Sequence, residues 1–226
     1  PVSFSGQSSS NSMASGASQM GISVFPEELK EGSGSYLTNN YDVLAGSYPK
    51  EATDLVLVID ANNRLDTAVL ENLGFDTANL DTISFDDIVG TQLKLVPNDD
   101  YYQKTEYGTF VPGQDYAAMY ESENAVTLTI SGIVRQKEGT SFGLLSSGIA
   151  YSDSLSELVL SSSLDSEIVK AQQESDINIM TGEKLDEAGK QQLMSYLGGD
   201  STPYMIMVFP LNFDAKDQVT AYLDEF

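Results

Sequence analysis

The clearest signal in the pattern of apolar and polar positions is the run Leu55-Val56-Leu57-Val58-Ile59, bounded by Asp54 and Asp60. It is rich in β-branched residues and too short for a helix, so it predicts a strand buried on both faces. Residues 41–60 as a whole read as strand, turn and strand, with Gly46 and Pro49 punctuating the approach. Residues 125–135 alternate: Val126, Leu128, Ile130 and Val134 fall on one face, and Thr127, Thr129 and Ser131 on the other. Gly132 lies on the apolar face, where a missing side chain admits a neighbour or permits a bend.

Helical spacing appears between the strands. Leu65, Val69, Leu70 and Leu73 share one face, with Asn72 and Gly74 closing the helix. Ser84 caps a short helix carrying Phe85, Ile88 and Val89, with Asp87 in the box position; Gly90 ends it and residues 92–96 alternate as a strand. Pro26-Glu27-Glu28-Leu29 suits a first helical turn. Residues 137–139 end the long strand, and 141–148 form a Ser/Gly loop. Ser154 with Glu157 makes a capping box for a helix running to Leu164, which 167–173 extends. Residues 177–180 read as a short strand. Ala188, Leu193, Tyr196 and Leu197 form a helix face stopped by Gly198 and Gly199. The run 204–209 is apolar on both faces and predicts a central strand, and Asp214 opens a last helix with Val219, Tyr222, Leu223 and Phe226 facing inward.

Two stretches lack periodicity. Residues 1–19 are dominated by Ser, Gly and Asn, so they bury too little to offset the entropy of ordering, with Val2 and Phe4 as the one hint of a strand. Residues 97–123 read as a long loop holding Tyr101, Tyr102, Tyr107, Phe110, Tyr116 and Tyr120. Loops of that length are often functional. Exposed, these six rings make a candidate contact surface for a partner or substrate; folded back over the sheet, they are a structural lid.

Charge narrows the functional classes. The net charge is −23, which repels phosphate backbones and anionic lipid and so argues against nucleic-acid binding and peripheral membrane docking; its plainest consequence is solubility. The chain has no Cys and no His, so it has no disulfides, no thiolate metal site and no Ser-His-Asp or Cys-His machinery. Asp86-Asp87 and Asp99-Asp100 are adjacent pairs that diverge along the backbone rather than flanking a bond across a cleft. Asn98, Asp99 and Asp100 offer oxygen ligands suited to Ca2+, but not at the spacing of a calcium loop, and no phosphate-binding loop occurs. No catalytic, cofactor-binding or metal-ligating residue is therefore assigned. No run reaches the ~20 apolar residues that span a bilayer.

Four segments resemble the extracytoplasmic domain of MacB-like (FtsX-related) ABC transporter permeases of the Gram-positive type. Asp42 to Pro49 is similar to that family's D-V-L-A-G-x-x-P, and Leu55 to Asn63 to its V-V-L-V-x-D-x-N-N. Ser84 to Gly90 with Leu93-Lys94-Leu95-Val96 resembles S-F-D-D-L-L-G-x-x-x-K-L-V, shifted by one at the lysine; Val126 to Lys137 resembles L-x-I-x-G-I-V-R-x-K. The likeness runs over 41–226, more loosely over 165–203, and the opening strand and helix of the family's porter part are missing or reduced to residues 2–4.

The resemblance implies an α+β fold in which a β-rich mixed subdomain, 41–164, is inserted into a smaller α/β porter-like subdomain represented by 165–226, after a Ser/Gly-rich segment, 1–40. It implies an extracellular, non-catalytic domain flanked by membrane helices, hence a fragment of a longer membrane protein beginning here at Pro1. The implied partners are an ABC ATPase subunit reached through the membrane part, a membrane-fusion-type or other extracellular protein, and a second copy in the full transporter. The competing expectation is a free-standing cell-surface module that binds a ligand or acts as an adhesin.

Overall fold

The computed structural model describes residues 21–27, 34–79, 81–140, 143–202 and 213–224. The alternating run 125–135 becomes the longest strand, β7 (Val126–Gln136), and the main sheet is assembled around it. The other described strands of that sheet are β1 (Ser23–Phe25), β2 (Tyr41–Gly46), β3 (Asp54–Ile59), β4 (Gln92–Leu95) and β8 (Gly148–Ser152), in the order β1-β8-β3-β7-β2. β3 runs parallel to β7 along one edge, while β2 and β4 lie antiparallel to it, end to end along the other. The two strands expected within 41–60 are thus present, with β7 between them. β8 is antiparallel to β3 and parallel to β1, so the sheet is mixed and the fold α+β.

Apolar layers cover both faces. One holds Leu55, Leu57, Ile59, Ile130 and Ile133 beneath α2 (Thr67–Asn72), α3 (Phe85–Ile88) and α6 (Asp153–Asp165). The other holds Val56, Val58, Val134 and Ala150 beneath Phe25, Tyr41 and the residues Tyr36 and Leu37 of α1 (Tyr36–Asn40). Residues 55–59 are buried on both faces, as a continuous apolar run requires.

A bulge corrects the expected face of β7. Leu55 pairs with Ile130 but Val56 pairs with Gly132, so Ser131 is an extra residue and the alternation changes sides there. Ile133 joins Ile130 in one layer, and Val134 falls into the opposite layer rather than sharing the face of Val126, Leu128 and Ile130. Gly132 admits a neighbour as expected: a Cβ there would collide with the Ser47 carbonyl oxygen and lie 3.1 Å from that of Ala45.

Residues 97–123 are not one loop. They fold into α4 (Asn98–Tyr101), the hairpin β5 (Tyr102–Lys104) and β6 (Phe110–Pro112), and α5 (Tyr116–Glu121), each too short to leave a period in the sequence. A third apolar cluster joins Phe110 and Tyr102 to Ile168 and Val169 of α7 (Glu167–Gln173), Ile179, and Leu193, Met194 and Leu197 of α8 (Glu187–Leu197). This cluster draws on segments before and after residue 165.

Other expectations need adjustment. Residues 177–180 form turns, not a strand; beside an isolated bridge between Ile177 and Lys184, the segment is held by backbone bonds, among them the Phe110 N–H to the Ile179 carbonyl at 2.8 Å, and by side chains. Fully buried Gln172 accepts from the Ile179 N–H at 3.1 Å and donates to the Ile177 carbonyl at 3.1 Å, replacing ladder partners. The cap of α6 is Ser152, which accepts from the Leu155 N–H, two residues before the expected Ser154. Ser166 is extended and separates α7 from α6. On α8, Leu193 and Leu197 are buried with Met194, but Ala188 and Tyr196 are exposed. α9 (Phe213–Asp224) forms as expected, yet Tyr222 and Leu223 are each 63% exposed rather than inward. Pro26 and Glu27 follow β1 without helical structure, and the rest of that expected turn, the strand at 204–209, Phe226 and residues 1–19 lie outside the described residues. α1, capped by Ser35 with Thr38 answering in the box position, and β8 were not expected.

Candidate functional site

The six aromatic residues singled out in 97–123 do not form one surface. Phe110 is 2% exposed and packs in the third cluster, with the Lys104 ammonium 5.5 Å from its ring centre. Tyr107 stands alone at the tip of the β5–β6 hairpin, 92% exposed. Tyr101 and Tyr102 are half-buried and meet edge to face at 4.9 Å. Tyr116 and Tyr120, 51% and 52% exposed, lie one turn apart on α5. The Lys94 ammonium sits 5.8 Å from the Tyr120 ring centre and donates to the Thr127 hydroxyl at 2.8 Å.

The structure adds Tyr196, which the sequence assigned to the core. It is 44% exposed, and its hydroxyl lies near that of Tyr102. Burial first, then the neighbouring Tyr196 and Tyr101 hydroxyls, push the Tyr102 hydroxyl well above the ordinary tyrosine value. Burial with the nearby Tyr116 and Tyr196 hydroxyls likewise raises Tyr101. Tyr101, Tyr102, Tyr116 and Tyr196 are thus near neighbours, Tyr120 continues along α5, Phe110 lies buried in the cluster that Tyr102 packs against, and Tyr107 stands apart at the hairpin tip. The signal that separates Tyr196 from its helix face is the i, i+4 pair Leu193 and Leu197, which defines the buried stripe without it.

The polar residues beneath this surface have structural tasks. Asn98 donates to the last carbonyl of α8, at Leu197, at 2.9 Å, and to the Ser166 hydroxyl at 3.3 Å. Asp99 accepts from the Glu167 N–H at 2.7 Å and so caps α7, whose own N-cap residue Ser166 makes no side-chain cap. Asp100 accepts from the Ser122 hydroxyl at 2.5 Å and the Asn124 amide at 3.1 Å. Asn98-Asp99-Asp100 is thus a staple joining three helix ends. Among the described residues, no three acidic side chains are grouped to hold a metal ion. Asp86 and Asp87 lie exposed in the first turn of α3, which Ser84 caps by accepting from the Asp86 N–H at 3.3 Å.

An open depression of about 420 Å3 lies at the end of β3, lined by Asp60, Arg64, Asp66 and Ser147 among others. Its carboxylates are already engaged: Asp60 accepts from the Asn62 and Arg64 N–H groups at 2.8 and 2.7 Å, and Asp66 caps α2 through the Ala68 N–H at 2.9 Å. The depression holds turns together and presents no paired acid and base. The tyrosine row is the better candidate, and what it can do is make contact.

Among the described residues, no helix is long and apolar enough to cross a membrane. Compared with models of known protein families, with characterised proteins and with solved structures, the chain matches none.

Proposed function

We propose that this chain is the extracellular, non-catalytic domain of an ABC transporter permease of the MacB-like type, carrying ATP-driven motion of membrane helices to a partner or substrate outside the cell. The observation that supports the reading is the interlocking of the four segments that carry the resemblance. Three of them hold β2, β3 and β4, and all three strands pair with β7 in the fourth. Gly46 of the first segment pairs with Gly132 of the fourth, where a Cβ on either would strike the other strand's backbone. Asn63 of the second, in a left-handed turn at φ 58°, accepts from the Arg135 guanidinium of the fourth at 2.8 Å. Motif residues far apart in the chain are therefore one another's partners, which makes a coherent structural unit of the resemblance.

A domain that transmits motion needs a stiff body. β7 is hydrogen-bonded along both edges and buried through its middle, so displacement at one end is carried to the other without rupture of the sheet. On this reading 41–164 is the inserted subdomain and 165–226 the porter-like segment, with the third cluster fastening them together. ATP hydrolysis belongs to a separate subunit.

The test is to raise antibody against the domain and probe fractionated source cells, with and without external protease. The expected product is membrane-bound, far larger than 24.4 kDa and cleaved from outside. A secreted or wall-attached product without membrane segments overturns the reading in favour of a free-standing surface module.

A further inference from the structure

The tyrosine row lies in a strongly negative setting. Residues 97–124 hold six carboxylates and one cationic side chain, Lys104, on a chain of net charge −23, and Lys94 adds a cation at the Tyr120 end of the row. Aromatic faces carry negative electrostatic potential, so a row of rings in such a field complements positive charge. The chain already shows the preference locally: Lys94 sits by the Tyr120 ring and Lys104 by that of Phe110. Tyr116, Tyr120 and Tyr196 remain half exposed, Tyr101 is half-buried near Tyr116 and Tyr196, and α4 and α5 are held together by the bonds that Ser122 and Asn124 donate to Asp100. The row is thus presented on a braced surface.

We propose that Tyr120, Tyr116, Tyr101 and Tyr196 form a docking surface for a Lys- or Arg-bearing segment of a partner protein. The rings receive the cationic heads, the surrounding carboxylates supply long-range attraction, and the hydroxyls satisfy peptide groups at the edge. The inference rests on this surface alone, and its test needs no membrane, so it can fail while the transporter reading stands.

The probe is a labelled peptide of alternating Lys and Gly, about ten residues long, titrated into the full chain at ~0.15 M salt to suppress diffuse attraction. Replacing both half-exposed rings, Tyr116→Ala with Tyr120→Ala, is expected to weaken binding about 5- to 10-fold, while the matching Phe pair stays within about twofold. Glu51→Gln with Asp81→Asn, which removes two exposed carboxylates outside the row, is expected to change it less than about twofold. Thermal melts establish that each variant folds. Equal losses from the Ala pair and the charge-removal pair would show non-specific attraction and overturn the proposal. So would equal binding of a Gln-Gly peptide, or tight binding of a neutral oligosaccharide that the Ala pair abolishes while peptide affinity is unchanged.

Discussion

Removing the carboxylate of Asp99 should loosen a helix that lies sixty-eight residues further along the chain. α7 begins at Glu167 with no cap from its own Ser166, and the Asp99 Oδ1 atom takes the Glu167 N–H at 2.7 Å in its place. Loss of a side-chain cap costs about 0.5–2 kcal/mol, typically ~1. The negative charge beside a helix N-terminus contributes a further ~0.3–1 kcal/mol where it is exposed. Ile168 and Val169 in that first turn are fully buried in the third cluster, so the loss is felt by the core rather than absorbed by fraying. Asp99→Ala is therefore expected to destabilise by about 1–2 kcal/mol, which in a chain of this size lowers Tm by about 2–8 °C. Asp99→Asn keeps an acceptor and loses the charge, and should cost about half as much. The assay is thermal and urea denaturation together with amide hydrogen exchange, in which protection should fall first across 167–173. A change below ~0.3 kcal/mol for Asp99→Ala, or equal losses for Ala and Asn, would refute the capping argument.

Two further outcomes follow from the same geometry. Gly132→Ala drives a Cβ into the Ser47 carbonyl where β2 pairs with β7 and should cost about 1–3 kcal/mol; urea midpoints against the unsubstituted chain check it, and a loss below ~0.3 kcal/mol sinks it. Burial, the largest cause in each case, holds the Tyr41 and Tyr102 hydroxyls protonated well above the ordinary value of 10.0, so above that pH the unfolded chain releases protons that the folded chain keeps. Their contribution is complete below about pH 10 and is lost as pH rises, so urea stability should fall steadily between about pH 10 and 12, and a flat profile there would refute it.

How much of this was legible in the sequence depended on element length. β3 and β7 were readable because each carries enough consecutive apolar or alternating positions to exceed chance, and Ser84, Gly74 and Gly198 mark their helix ends by local chemistry alone. The bulge at Ser131 was not readable, since an inserted residue changes parity only through its partner strand, yet it moved Val134 to the other layer. β8 was hidden for a different reason. Its fully buried positions are Gly148, Ala150 and Ser152, small because β1 and the residues before it press against them; a Cβ on Gly148 would collide with the backbone of Gly21. A short strand whose buried positions are all small thus leaves no apolar period to read. Of the candidate contact residues, Tyr101, Tyr102, Tyr116 and Tyr120 come together, but Phe110 was separable from them only by knowing that Ile168 and Leu193 would cover it.

The same contrast explains why the polar residues of 97–124 looked like ligands and are fasteners. Asn98, Asp99 and Asp100 are consecutive acceptors and donors, a pattern that suits a cation, a turn or a helix start equally well until their partners are known. Each partner lies elsewhere in the chain: Leu197 at the end of α8, Glu167 at the start of α7, and Ser122 with Asn124 after α5. The short elements of 97–121 have little periodicity of their own because three separate helix ends define them. The same anchoring permits a surface of half-exposed tyrosines there. Rings standing on an unbraced loop of this length would turn inward or move independently, whereas rings on α4, α5 and α8, tied together through Asp100 and Asn98, keep a fixed spacing. If Asp99→Ala and the Tyr116/Tyr120 pair are compared in one peptide titration, the first should weaken binding only at temperatures where α7 has begun to open, and the second at every temperature. Coincident losses at low temperature would mean that the staple contributes to the contact itself.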